Sequence, residues 1–159
     1  MDEYIPNALD TSFFPMAITT FVGMGGLVTK HTMDWVLNHP KIVKVTALIG
    51  RLLNDMAGHK FEQNNGQCAS SVECYMNQYG VGEEEAKIAL TKQKDAAWKD
   101  LNQELFDLHS SNSIPKPLLQ IILNLARSSE VIYSNNEGYT NSSVLKGFID
   151  SLLIEPVPV

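Results

Sequence analysis

Basic residues are scarce in this sequence: twelve Lys and Arg stand against eighteen Asp and Glu, for a formal net charge of -6. With no Lys/Arg run, the chain lacks the basic face that a phosphate backbone requires, and nucleic acid is excluded as a partner. Cysteine is nearly absent. Cys68 and Cys74 are six positions apart, on different sides of a helix, so neither a local disulfide nor a CxxC metal site is suggested, and reduced thiols fit a cytoplasmic setting. No uncharged run is apolar enough for a membrane span. The longest, between Asp10 and Lys30, is diluted by Pro15, Gly23, Gly25, Gly26 and several Ser and Thr, and reads as a buried, interrupted helix. A charged leader followed by a small-residue cleavage site is missing, which argues against secretion. Strand alternation, internal repeats, a nucleophile elbow, a Gly-rich phosphate loop and Cys/His pairing are all missing too. Hydrolase, kinase and dinucleotide-binding readings therefore have no motif.

What is present is helical spacing. A length of 159 residues with 44% hydrophobic and 19% charged residues suits one folded all-α domain. From Ile42 to Asn64 the apolar positions Val45, Leu48, Ile49, Leu52, Leu53 and Met56 fall three or four apart, the stripe of a helix pressed on a core. A second helix is expected from about Val72 to Tyr79, stopped by Gly80. A third begins at Glu83, Glu84 and Glu85, whose carboxylates favour the positive end of the helix dipole, and runs to about Phe106 with a solvated charged face. The segment from His109 to Lys116 reads as a loop closed by Pro115. Leu118 to Ala126 reads as another helix, Ser134 to Ser143 as a polar loop, and a short last helix ends near Leu153.

One set of side chains could carry chemistry. Asn54, Gly58 and Glu62 recur every four residues on the longest helix; four residues turn 400°, so all three lie near one face, spread over about 12 Å of rise. An amide carbonyl and a carboxylate are the hard oxygen donors that Mg2+ prefers while it keeps waters. Asp55, His59 and Glu62 form a competing set better suited to a transition metal, with His59 otherwise an exposed helix residue. Polar residues at this spacing also arise by chance on any helix, and the residues alone leave all three readings open.

The stretches WVLNHPKIVK, RLLNDMAGHKFEQ, ASSVECYM, AAWKDLNQEL, LLQIILNLAR, EGYTN and SLLIEPVPV, in this order along essentially the whole chain, resemble the plant class I terpene synthases, sesquiterpene cyclases in particular. The resemblance implies an α-helical class I bundle. Residues 1–159 would be the carboxy-terminal part of its metal-binding domain. It also implies Mg2+, or Mn2+ in its place, and a prenyl diphosphate substrate, farnesyl diphosphate first. By the family motif (N/D)Dxx(S/T/G)xxxE, the metal residues are Asn54, Gly58 and Glu62. Gly58 offers no hydroxyl, so a water would stand where relatives have Ser or Thr. Arg51 matches an arginine that contacts the diphosphate. Tyr139 matches a tyrosine of a closing loop, and Tyr133 one lining the pocket, where a ring face stabilises a carbocation without supplying a base. Ser12 and Phe13 fall where the pocket floor is built.

The departures set limits on that resemblance. Glu137 replaces a frequent Asp, and Asn64 with Asn65 stands where a basic residue is expected. The family's aspartate-rich DDxxD motif, its neighbouring arginine pair and its preceding helical domain do not occur in this sequence. One helix cannot clamp a diphosphate through several metal ions, so the chain by itself is expected to be inactive. Leu48 to Met56 and Leu118 to Ala126 are expected to bare apolar faces that drive self-association. The contrasting expectation is a catalytically dead remnant serving as an interaction or apolar-ligand module.

Overall fold

The computed structural model describes residues 1–24, 26, 28–64, 66, 69–133 and 142–154. Among them every regular element is helical: α1 (Tyr4–Asp10), α2 (Phe13–Met24), α3 (Lys30–Leu37), α4 (Lys41–Asn64), α5 (Ser71–Tyr79), α6 (Glu83–Ser111), α7 (Lys116–Ile132), a 3-10 turn (Ser142–Leu145) and α8 (Lys146–Leu153). The all-α expectation holds. No helix of the described residues is long and apolar enough to cross a membrane.

The helix limits follow local chemistry. Ser70 and Glu73 form a capping box at the start of α5, the Glu73 carboxylate accepting from the Ser70 N–H at 2.8 Å. Gly80 ends α5 in the left-handed region at φ 67°, a conformation that costs glycine little. The helix that follows Gly82 runs five residues past the expected Phe106. Nothing in LeuHisSerSer breaks it, and Asn112 then takes the left-handed cap at φ 50°. Pro115 stands just ahead of α7, which extends to Ile132, beyond the expected Ala126. The stretch between Asp10 and Lys30 is interrupted as expected, but it breaks at its two ends, around α2, and only Ala17, Ile18 and Val22 of α2 are buried.

α4 is the axis of the fold, in contact with α1, α2, α5, α6 and α7. Its Ile42, Val43, Val45, Ile49 and Leu53 enter a core with Ile18 and Val22 of α2, Ala97 and Leu101 of α6, and Leu118, Leu119, Ile122 and Ala126 of α7. Leu52 joins a second, smaller core with Val72, Ala86 and Leu90. The faces expected to be bare, Leu48 to Met56 and Leu118 to Ala126, are thus largely covered, because α4 and α7 pack on each other within this chain. Exposed apolar side chains lie elsewhere: Phe13, Met16, Phe21 and Met24 on α2, and Phe148, Ile149, Leu152 and Leu153 on α8.

α2 meets α4 very closely. A Cβ added at Gly50 would stand 1.8 Å from Cζ of Phe14, so the ring lies directly on the α4 backbone one turn before Asn54.

Candidate metal site on the central helix

The carboxy-terminal half of α4 carries two adjacent polar stripes. One is Asn54, Gly58 and Glu62. Gly58 is buried, while Asn54 and Glu62 are half-buried. A Cβ at Gly58 would stand 3.0 Å from Glu62 Oε1 and 3.3 Å from its carboxyl carbon, so the Glu62 carboxylate lies back over the glycine, toward Asn54 along the helix. Gly58 is therefore not on an open face, and a serine there would need Glu62 to give way. Burial, followed by the nearby Asp55 carboxylate, pushes the Glu62 carboxyl above its usual range against the pull of Arg51. Negative charge at this point is under-compensated. An amide oxygen, a carboxylate and a side-chain-free position between them fit a hard cation that keeps water ligands.

The other stripe is Arg51, Asp55 and His59, and it is engaged within the protein. Asp55 is buried; its Oδ2 accepts from the Tyr4 hydroxyl at 2.5 Å and the Ser71 N–H at 3.0 Å, and its Oδ1 lies 3.1 Å from Arg51 Nε. His59, expected to be exposed, is 6% exposed. Its Nδ1 stands 2.6 Å from Glu73 Oε1, a close contact without the alignment of a hydrogen bond, and its Nε2 stands 3.9 Å from Glu83 Oε2. Glu83 in turn pairs with Lys87 at 2.7 Å. His59 thus ties α4 to the starts of α5 and α6. Among the described residues no three His, Cys, Asp or Glu side chains group as a metal site, so the Asp55, His59, Glu62 alternative is not assembled.

Arg51 is held by its Nε, which also donates to the Tyr4 hydroxyl at 3.2 Å, and its guanidinium lies 6.0 Å from the centre of the Tyr4 ring. Arg51 and Tyr4 line an open cleft of ≈ 670 Å³ together with Asn7 and Cys74. Tyr4 was not singled out by the sequence, since its partners lie 47 and 51 positions away. Ser12 donates its hydroxyl to the Leu9 carbonyl at 2.9 Å, Phe13 is 58% exposed, and half-buried Tyr133 packs against the larger core at the end of α7. Tyr139, Glu137 and Asn65 lie outside the described residues.

Known proteins resemble the chain in sequence and in fold. The chain is 48% identical over its whole length to a (-)-germacrene D synthase of Vitis vinifera and 45% identical to sesquiterpene synthase 2 of Toona sinensis, spanning 28% of the length of each. Its fold superposes with a TM-score of 0.90 on limonene synthase with 2-fluorolinalyl diphosphate, at 23% identity, covering 99% of this chain and 29% of that one. With isoprene synthase from grey poplar leaves, in complex with three Mg2+ ions and dimethylallyl-S-thiolodiphosphate, the TM-score is 0.74 and the identity 27%, over 99% of this chain and 30% of that one. Residues 1–100, which include all of α4, match the terpene synthase family, metal binding domain, and the chain belongs to that family.

Proposed function

We propose that this chain is the carboxy-terminal, metal-binding part of a sesquiterpene synthase that ionises and cyclises farnesyl diphosphate with release of diphosphate. The observation that carries the reading is the Glu62 carboxylate lying over Gly58 on the stripe that begins with Asn54, inside the segment matched by the family's metal binding domain. Asn54 and Glu62 would hold Mg2+, with a water supplying the oxygen that Gly58, lacking a hydroxyl, does not. When bound, that ion supplies neutralisation of charge on the departing diphosphate. Arg51 presents a planar guanidinium to the same anion. Tyr133 and Tyr139 contribute ring faces beside the developing carbocation and carry no base to quench it. The exposed faces of α2 and α8 are, in this reading, surfaces that meet the rest of the synthase, or a second copy when the rest is absent.

The metal assignment is tested on the 159-residue chain by Mn2+ titration, read as paramagnetic broadening of backbone amide signals. Broadening centred on residues 54 to 62, weakened at least tenfold in both Asn54→Ala and Glu62→Ala, is expected. Equal Mn2+ affinity in the wild type and both variants would remove the assignment. The chain incubated with farnesyl diphosphate and Mg2+ should yield no terpene hydrocarbon. Product formation abolished by Glu62→Ala would contradict the need for a second set of carboxylates.

A further inference from the structure

The residue that follows Asn54 has its own role. Asp55 is 1% exposed and gathers partners from three helices: the Tyr4 hydroxyl from α1, Arg51 Nε one turn earlier on α4, and the Ser71 N–H in the first turn of α5. A buried carboxylate with this many donors is satisfied and has little reason to leave them for a cation. Tyr4 completes a closed triangle. Its hydroxyl donates to Asp55 at 2.5 Å and accepts from Arg51 Nε at 3.2 Å, while its ring lies 6.0 Å from the guanidinium carbon. Arg51 is thereby gripped along its Nε edge in a cleft that it lines with Tyr4.

We propose that Tyr4 and Asp55 are positioning residues for Arg51, clamping its Nε edge so that the guanidinium meets an oxyanion of the diphosphate class at a fixed place. The proposal rests on the reading of Arg51 as a diphosphate contact. An arginine has several rotatable bonds, and one already held by a phenol and a carboxylate gives up less freedom on binding than a loose one. Asp55 also opposes binding, because its charge cancels part of that on Arg51. The clamp is favourable only if orientation outweighs this loss, and that makes the sign of the effect the test.

The experiment uses the 15N-labelled 159-residue chain without metal, with inorganic diphosphate as the probe. Arg127, exposed on α7 and the other arginine of the sequence, is the internal reference. Hydrogen exchange at Arg51 Nε–H is expected to be slowed relative to Arg127. In Tyr4→Phe, which keeps the ring and removes the hydroxyl, exchange should approach that of Arg127 and diphosphate affinity should fall about two- to tenfold. In Arg51→Gln the affinity should be lost. Unslowed exchange at Arg51 in the wild type overturns the proposal, and so does unchanged or tighter diphosphate binding in Tyr4→Phe. Wild-type affinity in Arg51→Gln removes the diphosphate reading of Arg51 and the proposal with it; slowed exchange that Tyr4→Phe still abolishes would then locate the failure in that reading and not in the clamp.

Discussion

Gly50→Ala should destabilise the chain even though alanine is the better helix former. In an ordinary helix interior the exchange stabilises by about 1 kcal/mol. Here the new methyl would stand 1.8, 2.2 and 2.7 Å from Cζ, Cε2 and Cε1 of Phe14. Carbon atoms rest about 3.5–4.0 Å apart, so the ring must retreat by about 2 Å. Phe14 is half-buried and can swing outward, at a cost taken from the lower half of the about 1–3 kcal/mol typical of overpacked sites plus part of its own burial, about 2 kcal/mol together. The clash wins by about 1 kcal/mol. In a Phe14→Ala background the obstacle is gone and the same substitution should stabilise by about 1 kcal/mol, giving a coupling of about 2 kcal/mol between the two positions. Urea unfolding of the wild type, both single variants and the double variant, followed by helical circular dichroism, measures all four corners. A Gly50→Ala change that stabilises equally in both backgrounds would refute the reasoning.

Glu62 and Glu73 give opposite pH signatures. Glu62 is pushed up, so its ionised form costs the fold stability that is present below its unfolded value and lost as pH rises through the folded one. Glu62→Gln should therefore stabilise the metal-free chain at neutral pH by a few tenths of a kcal/mol (about 0.3, small because solvent still screens the half-buried group), and calorimetric melting that shows a lowered midpoint would contradict this. Glu73 is also partly buried, but hydrogen bonds from the Ser70 hydroxyl and backbone N–H outweigh that burial and hold it below its usual range. Its contribution is present above the unfolded value and lost as pH falls through the folded one. Unfolding free energies at about pH 7 and about pH 3.5 should converge for wild type and Glu73→Gln at the acid end, with a gap of about 0.3–1 kcal/mol at neutral pH from the lost charge, because a glutamine amide oxygen still accepts from Ser70, and a gap that widens on acidification would exclude the mechanism.

The long helix was legible because its own spacing encodes it: Val45, Ile49, Leu52 and Leu53 sit three or four apart, and all are buried. The family stretches located Asn54, Gly58 and Glu62, and the structure brings Glu62 back over Gly58. Contacts between distant segments left no such trace. His59 read as exposed because its partners Glu73 and Glu83 lie on other helices, and nothing in a local window announces a buried imidazole between carboxylates. Tyr4 and Phe14 were missed for the same reason. The apolar faces of α4 and α7 read as bare, although each covers the other. Periodicity shows that a face is apolar and is silent about what it meets.

The two stripes on α4 also constrain length. Asn54, proposed above as a metal ligand, and Asp55, locked into Tyr4 and Ser71, are neighbours separated by a single 100° step. The exposed side chains in 41–64 can be exchanged one at a time at modest expense. Inserting one residue between Asp55 and Glu62 leaves every identity intact, yet it turns Glu62 a further 100° around the axis, from about 80° to about 180° away from Asn54. Among descendants of this sequence the segment should drift in spelling at its exposed positions while resisting insertion.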